Sequence, residues 1–219
     1  MSTDYLVNIT IPMLEGAKIT ILLFLIAIAF SIPLGFFITL LSQSNNKVIS
    51  GISKSYVYVM RGTPLLLQLL FICFGLPMIP VIGEYLVMDR FVAACLGFIL
   101  NYAAYFSEIF RGGLLSIDKG QYEAAQVLGF SRSQTTIKII LPQMFRIALP
   151  AVSNESITLI KDTALLYAVA VPELLHFAQT AVNRDFTIVP FFIAGIIFLL
   201  LTLVLTAIFR WLEHKFKFE

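Results

Sequence analysis

The chain is poor in charged residues and in the side chains that carry most enzyme chemistry. Charged residues make up 13 % of its 219 positions, about half the share found in soluble domains. Neither H-E-x-x-H nor G-x-S-x-G occurs, and both histidines, His176 and His214, lie outside the long apolar runs. The sequence therefore gives no support to a membrane-embedded metalloprotease or serine hydrolase.

Three further shortages limit the possible partners and compartments. No G-x-x-x-x-G-K-[ST] loop is present, so if the protein uses nucleotide energy, another chain binds the nucleotide. The net charge is only +2, which gives no indication of a nucleic-acid partner. The two cysteines, Cys73 and Cys95, lie within apolar runs, and we expect them to be packing residues instead of a disulfide.

What the sequence has in abundance is apolar residues, which make up 59 % of it and include 20 phenylalanines. Five segments are predicted to span a bilayer, which needs about 20 residues: 17–41, 56–76, 91–110, 148–171 and 191–212. Pro33 and Gly35 are predicted to kink the first span. A cleaved signal peptide ending at "AIA" (27–29) is an alternative, but the apolar run continues to Leu41 and lacks a basic start.

Five spans place the two termini on opposite sides, and basic residues choose between the two orientations. One set of loops carries Lys47, Lys54, Arg111, Lys119, Arg132, Lys138, Arg146, Arg210, Lys215 and Lys217. The other set carries only Lys18, Arg90 and Arg184. The first set is predicted to be cytoplasmic, with the N-terminus outside and the C-terminus inside. The same asymmetry supports counting the fourth segment, which is the weakest by hydropathy.

The longest polar region, about 112–146, is predicted to form two short helices with a bend at Gly129. Asp118 is a candidate cap for a first helix, and Ser131 with Gln134 matches the capping box of a second. Gly129 is a candidate C-terminal stop, because glycine accepts the left-handed conformation there. Caps and length alone also fit an amphipathic hairpin lying on the membrane.

The residues of this region form a long pattern at fixed spacing. It reads Glu123-Ala124-Ala125, three residues, Gly129, nine residues, Ile139, one residue, then Leu141-Pro142. This pattern resembles the EAA loop of the permease subunits of ATP-binding-cassette importers. The resemblance implies an all-α membrane fold of the type I importer permease, whose EAA loop docks on separate ATPase subunits. It also implies ATPase-coupling roles for Glu123, Ala124, Ala125 and Gly129.

Two other segments are similar to the branch of these permeases that serves histidine, glutamine or arginine: "RGTPLLLQLLFICFGLP" (61–77) and "IKDTALL" (160–166). The resemblance implies an external segment at 1–16, a transmembrane permease domain at 17–212 with its coupling loop at about 112–146, and a cytoplasmic tail at 213–219. It implies a bacterial cytoplasmic (inner) membrane, an external substrate-binding protein, and a second permease copy or homologue. The chain itself would carry no cofactor and catalyse no bond chemistry, since ATP and Mg²⁺ would be bound by the ATPase subunits.

The segment 153–166, "SNESITLIKDTALL", carries three charges inside a predicted span. On a helix of 3.6 residues per turn, Glu155 and Asp162 nearly eclipse, as do Asn154 and Lys161, and Thr158 falls between the two pairs. These five positions occupy an arc of about 120°. A charge at the bilayer centre costs about 2.5–3.5 kcal/mol even on a lenient scale. The stripe is therefore expected to face protein, water or a ligand.

Two interpretations of this stripe stay open. In one, Lys161 and Arg61 neutralise the two acids in a closed ion-pair cluster that only fixes helix packing. In the other, Glu155 and Asp162, about 10 Å apart along the helix, hold an amino acid with positive groups at both ends, such as arginine or lysine. Lys161 or Arg61 would then bind the ligand carboxylate. Intramembrane ionisable residues are functional by default, which favours the ligand site.

The resemblance to basic amino-acid permeases implies a pocket formed by Arg61, Asn101, Glu155, Lys161 and Asp162. For Asn101, a buried interhelical hydrogen bond is the alternative. Glutamine or another polar amino acid is the alternative substrate, and a proton-coupled secondary transporter is the alternative function.

The remaining polar residues have simpler interpretations. Glu108 and Arg111 are expected to pair locally, His176 to be solvated, Gln68 to pack or line a path, and Trp211 to anchor the chain at the membrane interface.

Overall fold

The computed structural model describes residues 3–216, and within them the predicted all-α fold is confirmed. The α-helices are α1 (Thr3–Ser42), α2 (Lys47–Gly62), α3 (Leu65–Leu70), α4 (Arg90–Leu115), α5 (Lys119–Val127), α6 (Arg132–Thr135), α7 (Leu141–Asp162), α8 (Leu174–Asp185) and α9 (Val189–Phe216). Tighter or wider helical turns occupy Phe71–Gly75, Leu76–Met78, Gly83–Leu86, Thr136–Ile140 and Thr163–Val169. Lys217, which was counted among the basic residues predicted to be cytoplasmic, lies outside the described residues.

Helix α1 is 40 residues long, which corresponds to about 60 Å, so it extends well beyond the predicted first span. It continues without a break through Pro12 and Pro33. Gly35 allows α1 to pack closely on α4, because a Cβ there would lie 2.8 Å from the carbonyl oxygen of Ala103. One turn on, the Thr39 hydroxyl donates to the carbonyl of Ser107 over 2.9 Å.

Helices α1 and α4 run parallel, as two hydrogen bonds along their contact show. Ser31 donates to the carbonyl of Ile99, and Thr39 donates to that of Ser107. From the first bond to the second, the residue number rises by eight in both helices. Only a parallel pair allows this. The segment between α1 and α4 therefore returns the chain to the end of the bundle where α1 began.

The segment predicted as the second span, 56–76, is bent instead of forming one straight helix. Helix α2 already begins at Lys47 and ends at Gly62, and Leu65–Met78 then leaves at an angle of 105°. The break follows from Pro64, which has no N–H to donate and forces the preceding residue out of the helical region. Thr63 is accordingly extended, with φ −118° and ψ 146°. Among the described residues, four helices are long and apolar enough to span a membrane, or five if the bent pair counts as one span.

The weak fourth segment is part of a longer helical stretch, Arg132–Val169, that qualifies as a span. After it, the region between the predicted fourth and fifth spans contains helix α8. Glu173 is buried and caps α8, since its carboxylate accepts from the backbone N–H groups of Leu175 and His176. Gly16 of α1 packs directly against this cap, and a Cβ at Gly16 would lie 2.7 Å from the Glu173 carbonyl oxygen.

The predicted hairpin between α4 and α7 is confirmed in its local details. The Asp118 side chain accepts from the N–H of Gly120 over 2.6 Å at the start of α5. Gly129 takes a left-handed φ of 76°, and Ser131 forms a reciprocal capping box with Gln134 at the start of α6. We call residues 119–140 the coupling hairpin, after the role that the resemblance to the EAA loop implies.

Helix α4 is the centre of the bundle and contacts α1, α2, α3 and α7. Its large aromatic side chains Phe98, Tyr102, Phe106 and Phe110 are almost fully buried. By contrast, α9 is the most apolar span and has only 6 % of its most apolar window buried. This distribution is typical of a chain whose outer helices face lipid instead of water.

Candidate functional site

A cavity of about 630 Å³ lies where the bent pair α2–α3 meets α4 and α7. Cavities of this size are common for small-molecule ligands, which occupy roughly 300–1,000 Å³. Its polar lining comes from Arg61, Thr63, Asn101, Tyr102, Tyr105, Glu155, Thr158 and Asp162. We call it the central cavity. Irregular backbone at Thr63 and Pro64 forms part of its lining, as expected where a broken helix lines a cavity within a membrane bundle.

The α7 wall of the central cavity is the charged stripe, but only one side of it. Glu155, Thr158 and Asp162 line the cavity and are half-buried. Lys161 and Asn154 lie further round the same helix, are exposed and do not belong to the lining. The structure thus brings the two predicted acids together and leaves the predicted lysine outside.

Asp162 is held by a residue that no sequence pattern indicates. The hydroxyl of Tyr102 on α4 donates to Asp162 Oδ2 over 2.7 Å, and Tyr102 is only 1 % exposed. The two residues are 60 positions apart, and a tyrosine inside an apolar helix carries no local signal of such a role. Their hydrogen bond fixes the carboxylate at the junction of α4 and α7.

Arg61 lines the same cavity from the last turn of α2. Its guanidinium carbon lies 5.3 Å from the ring centroid of Tyr105, a distance suited to a cation–π contact. Its Nη1 lies 3.9 Å from Glu108 Oε2. No ion pair within 4 Å among residues 3–216 joins Arg61 or Lys161 to Glu155 or Asp162. The closed ion-pair cluster is therefore not formed in this structure.

Asn101 makes the interhelical hydrogen bonds that were the alternative to ligand binding. Its Nδ2 donates to the carbonyl of Met60 and to Gln68 Oε1, each over 3.0 Å. Gln68 in turn donates to the same Met60 carbonyl over 2.9 Å and to Thr63 Oγ1 over 2.7 Å. These bonds satisfy carbonyl groups that the helix break leaves unpaired. Asn101 still borders the cavity, but its amide hydrogens are already engaged.

Two of the simpler predictions have clear outcomes. Arg111 donates through Nε to Glu108 Oε2 over 2.9 Å, so the predicted local pair is confirmed. The prediction that His176 is solvated is met only in part, because the residue is half-buried and its ring packs against Tyr167 of the Thr163–Val169 turn and Phe177 of α8. Its Nδ1 is buried without a hydrogen-bond partner among the described residues.

The coupling hairpin presents most of its predicted contact residues. Glu123, Ala124 and Gly129 are exposed, and so are the neighbouring Val127 and Leu128, at 87 % and 73 %. Ala125 differs, because it is only 1 % exposed and therefore packs inside the chain. An exposed apolar turn of this kind on a polar hairpin is typical of a surface that binds another protein.

Comparison with protein families shows which family the chain belongs to. Residues 31–218 match the family described as the inner membrane component of binding-protein-dependent transport systems. Because the match covers most of the sequence, the chain belongs to this family of ATP-binding-cassette transporter permeases, and it is an integral membrane protein.

Individual relatives agree over almost the full length. The chain is 37 % identical to the arginine transport system permease protein ArtQ of Bacillus subtilis, covering 99 % of each chain. It is 36 % identical to the glutamine transport system permease protein GlnP of Escherichia coli strain K12, covering 94 % of each. A crystal structure of an amino acid ABC transporter with histidines contains a chain that is 30 % identical, with a TM-score of 0.89 and coverage of 98 % of this chain and 99 % of that one.

Proposed function

We propose that this chain carries a basic amino acid through the central cavity of an importer driven by separate ATPase subunits. The observation that carries the proposal is the charge of the cavity wall. Glu155, Asp162 and Arg61 all line the cavity. Two carboxylates and one guanidinium leave the lining with one net negative charge. Charges removed from water need compensation, so a ligand with one net positive charge suits this site best.

Arginine and lysine meet this requirement, because each has two cationic groups and one carboxylate. We expect Asp162, whose orientation Tyr102 fixes, and Glu155 to bind the two cationic ends. Arg61 would bind the ligand carboxylate by charge-assisted hydrogen bonds. Lys161 has no part in this arrangement, since it does not line the cavity.

Glutamine is the second candidate substrate. The relative that transports glutamine is 36 % identical, nearly as similar as the one that transports arginine. A zwitterion would leave the negative charge of the cavity uncompensated, which is why we favour a basic amino acid. Histidine fits the site when its ring is protonated.

For the topology, we propose five spans with the N-terminus outside and the C-terminus in the cytoplasm of a bacterial cell. The parallel arrangement of α1 and α4 supports this count, because the bent pair between them must return the chain across the bundle. The coupling hairpin then lies on the cytoplasmic side together with Lys119, Arg132 and Lys138, as basic loops prefer.

For the assembly, we propose that the exposed hairpin residues dock on the ATPase subunits and that a binding protein delivers substrate to the opposite face. A second permease, either a copy or a homologue, would complete the path. The family of binding-protein-dependent transport components supports these partners. The chain would bind no nucleotide, since it lacks a phosphate-binding loop.

The proposal is tested by purifying the permease with its ATPase and binding protein and reconstituting them in liposomes. ATP-dependent uptake of labelled arginine should be reduced by unlabelled arginine or lysine far more than by glutamine. Uptake that continues without ATP but stops when a proton gradient is removed would instead support a secondary transporter. Strong competition by glutamine and none by lysine would overturn the basic substrate and leave the permease role intact.

A further inference from the structure

A second cavity, of about 310 Å³, adjoins the central one on the side of the coupling hairpin. Its polar lining is Ser42, Lys54, Tyr58, Arg61, Ser107, Glu108 and Arg111, and we call it the hairpin-side cavity. Glu108 and Arg111 lie on α4 about 10 and 15 Å beyond Asn101 in the direction of the hairpin. Arg61 lines both cavities and stands between them.

The hairpin-side cavity has an excess of positive charge. Its lining contains three cations and a single acid, Glu108. Arg111 donates to both carboxylate oxygens of Glu108, over 3.0 and 2.9 Å, and so compensates that acid. Arg61 is more distant from Glu108, at 3.9 Å. In the part of the chain that the structure describes, Lys54 forms no ion pair within 4 Å.

The two cavities therefore differ in sign, with a negative centre and a positive hairpin side. A carboxylate that leaves the central cavity meets Lys54 as the next cation that no acid compensates. Because Arg61 borders both spaces, the same carboxylate can stay within reach of a cation throughout the transfer. Without such a relay, it would have to give up its partner in a partly dehydrated passage, which is costly.

We infer that Lys54, with Arg61, forms a release subsite for the carboxylate of the transported amino acid. This inference rests on the proposed function and extends it by a second binding position along the path. Lys54 belongs to α2, eight positions before the helix break, and its side chain is exposed. It acts on the ligand after binding and leaves the affinity of the central cavity unchanged.

The experiment uses the complete transporter, with permease, ATPase and binding protein in lipid nanodiscs. Equilibrium binding of labelled arginine to the permease–ATPase complex reports on the central cavity. The rate at which bound arginine is released after ATP addition reports on the exit. The variants are Lys54→Gln, the charge-preserving Lys54→Arg, and the control Lys47→Gln. Lys47 lies two turns earlier on the same side of α2 and does not line the cavity.

The subsite predicts that Lys54→Gln slows ATP-driven release by roughly threefold or more, in keeping with the loss of one exposed ionic contact. Arginine binding at equilibrium should be unchanged, and Lys54→Arg and Lys47→Gln should release at the wild-type rate. Release at the wild-type rate in Lys54→Gln would overturn the subsite. So would a parallel loss of equilibrium binding, which would assign Lys54 to the central site. If the wild-type complex bound glutamine but no arginine, the basic substrate itself would be wrong, a result distinct from either of these.

Discussion

The hydroxyl of Tyr102 donates a 2.7 Å hydrogen bond to Oδ2 of Asp162 and so joins α4 to α7 at the wall of the central cavity. Tyr102 is almost fully buried among the aromatic side chains of α4, so its hydroxyl has little freedom to move. The carboxylate of Asp162 is therefore oriented before any ligand arrives. Preorganisation of this kind lowers the cost of binding, because no side chain must be ordered at that moment.

Replacing Tyr102 with phenylalanine should weaken arginine binding by roughly tenfold, as expected when a hydrogen bond to a charged group is lost. The ring and its packing remain, so the protein should still assemble with its ATPase. Binding is measured by calorimetry on the purified complex. The control is Tyr56→Phe, which removes a hydroxyl bonded to the Leu100 carbonyl outside the cavity lining. Equal affinities in the wild type and Tyr102→Phe would show that the tyrosine does not prepare the site.

Gly35 and Gly195 form a matched pair for testing the contact between α1 and α4. A Cβ on Gly35 would lie 2.8 Å from the Ala103 carbonyl and from the Phe106 side chain, whereas a Cβ on Gly195 would meet nothing within 4 Å. Gly35→Ala should lower the thermal unfolding midpoint in detergent, because backbone atoms cannot give way easily. Gly195→Ala should leave it unchanged or raise it slightly, since alanine favours the helix. Similar behaviour of the two variants would contradict the close packing.

Glu123→Arg should abolish ATP-dependent uptake while the permease still folds. The residue is exposed on α5 of the coupling hairpin, and reversal of its charge would place a cation where the ATPase is proposed to bind. The milder Glu123→Gln should retain part of the activity. Uptake is measured in liposomes, and co-purification with the ATPase shows whether docking survives. Normal uptake by Glu123→Arg would remove this residue from the coupling role.

Glu173 makes the stability of the fold depend on pH. Burial raises the pKa of Glu173 from 4.5 to about 7, although two backbone N–H groups oppose the shift. The folded state thus binds this proton more tightly than the unfolded state does. The resulting stabilisation is complete below pH 4.5 and is lost as the pH rises through about 7.

The expected measurement is a thermal unfolding midpoint in detergent that falls between pH 4.5 and 7 in the wild type. Glu173→Gln should show a smaller decline over the same range, since glutamine does not titrate. Glu15→Gln serves as the control, because Glu15 is exposed and pairs with Lys18 at the surface; it should keep the wild-type slope. If Glu173→Gln also kept the wild-type dependence of the unfolding midpoint on pH, the Glu173 carboxyl would not be the titrating group.

The coupling hairpin was predictable from the sequence because its structure is set locally. Asp118, Gly129 and the Ser131–Gln134 capping box each act within a few residues, and the structure confirms all three. The pattern of the EAA loop likewise identified the family without any structural information. Local chemistry of this kind does not depend on what the rest of the chain does.

The central cavity could be predicted only in part. The helical wheel placed Glu155 and Asp162 on one face, but it could not show that the cavity ends before Lys161. That limit is set by where α4 and the bent pair lie against α7. The proline in "RGTP" is a local signal for the helix break, but the apolar residues around it led to the prediction of a span at 56–76. The role of Tyr102 depends on a contact with a residue 60 positions away and had no signal in the sequence.

The most direct test of the account compares arginine and glutamine binding to the wild-type complex and to Glu155→Gln. Removing one carboxylate leaves the lining neutral, so the preference for the cationic ligand should fall. We predict that the wild type binds arginine more tightly and that Glu155→Gln reduces the ratio of the two affinities by roughly tenfold or more. Glu84→Gln, an acid outside the cavity, should leave the ratio unchanged. An unaltered ratio in Glu155→Gln would contradict the claim that the charge of this cavity selects the substrate.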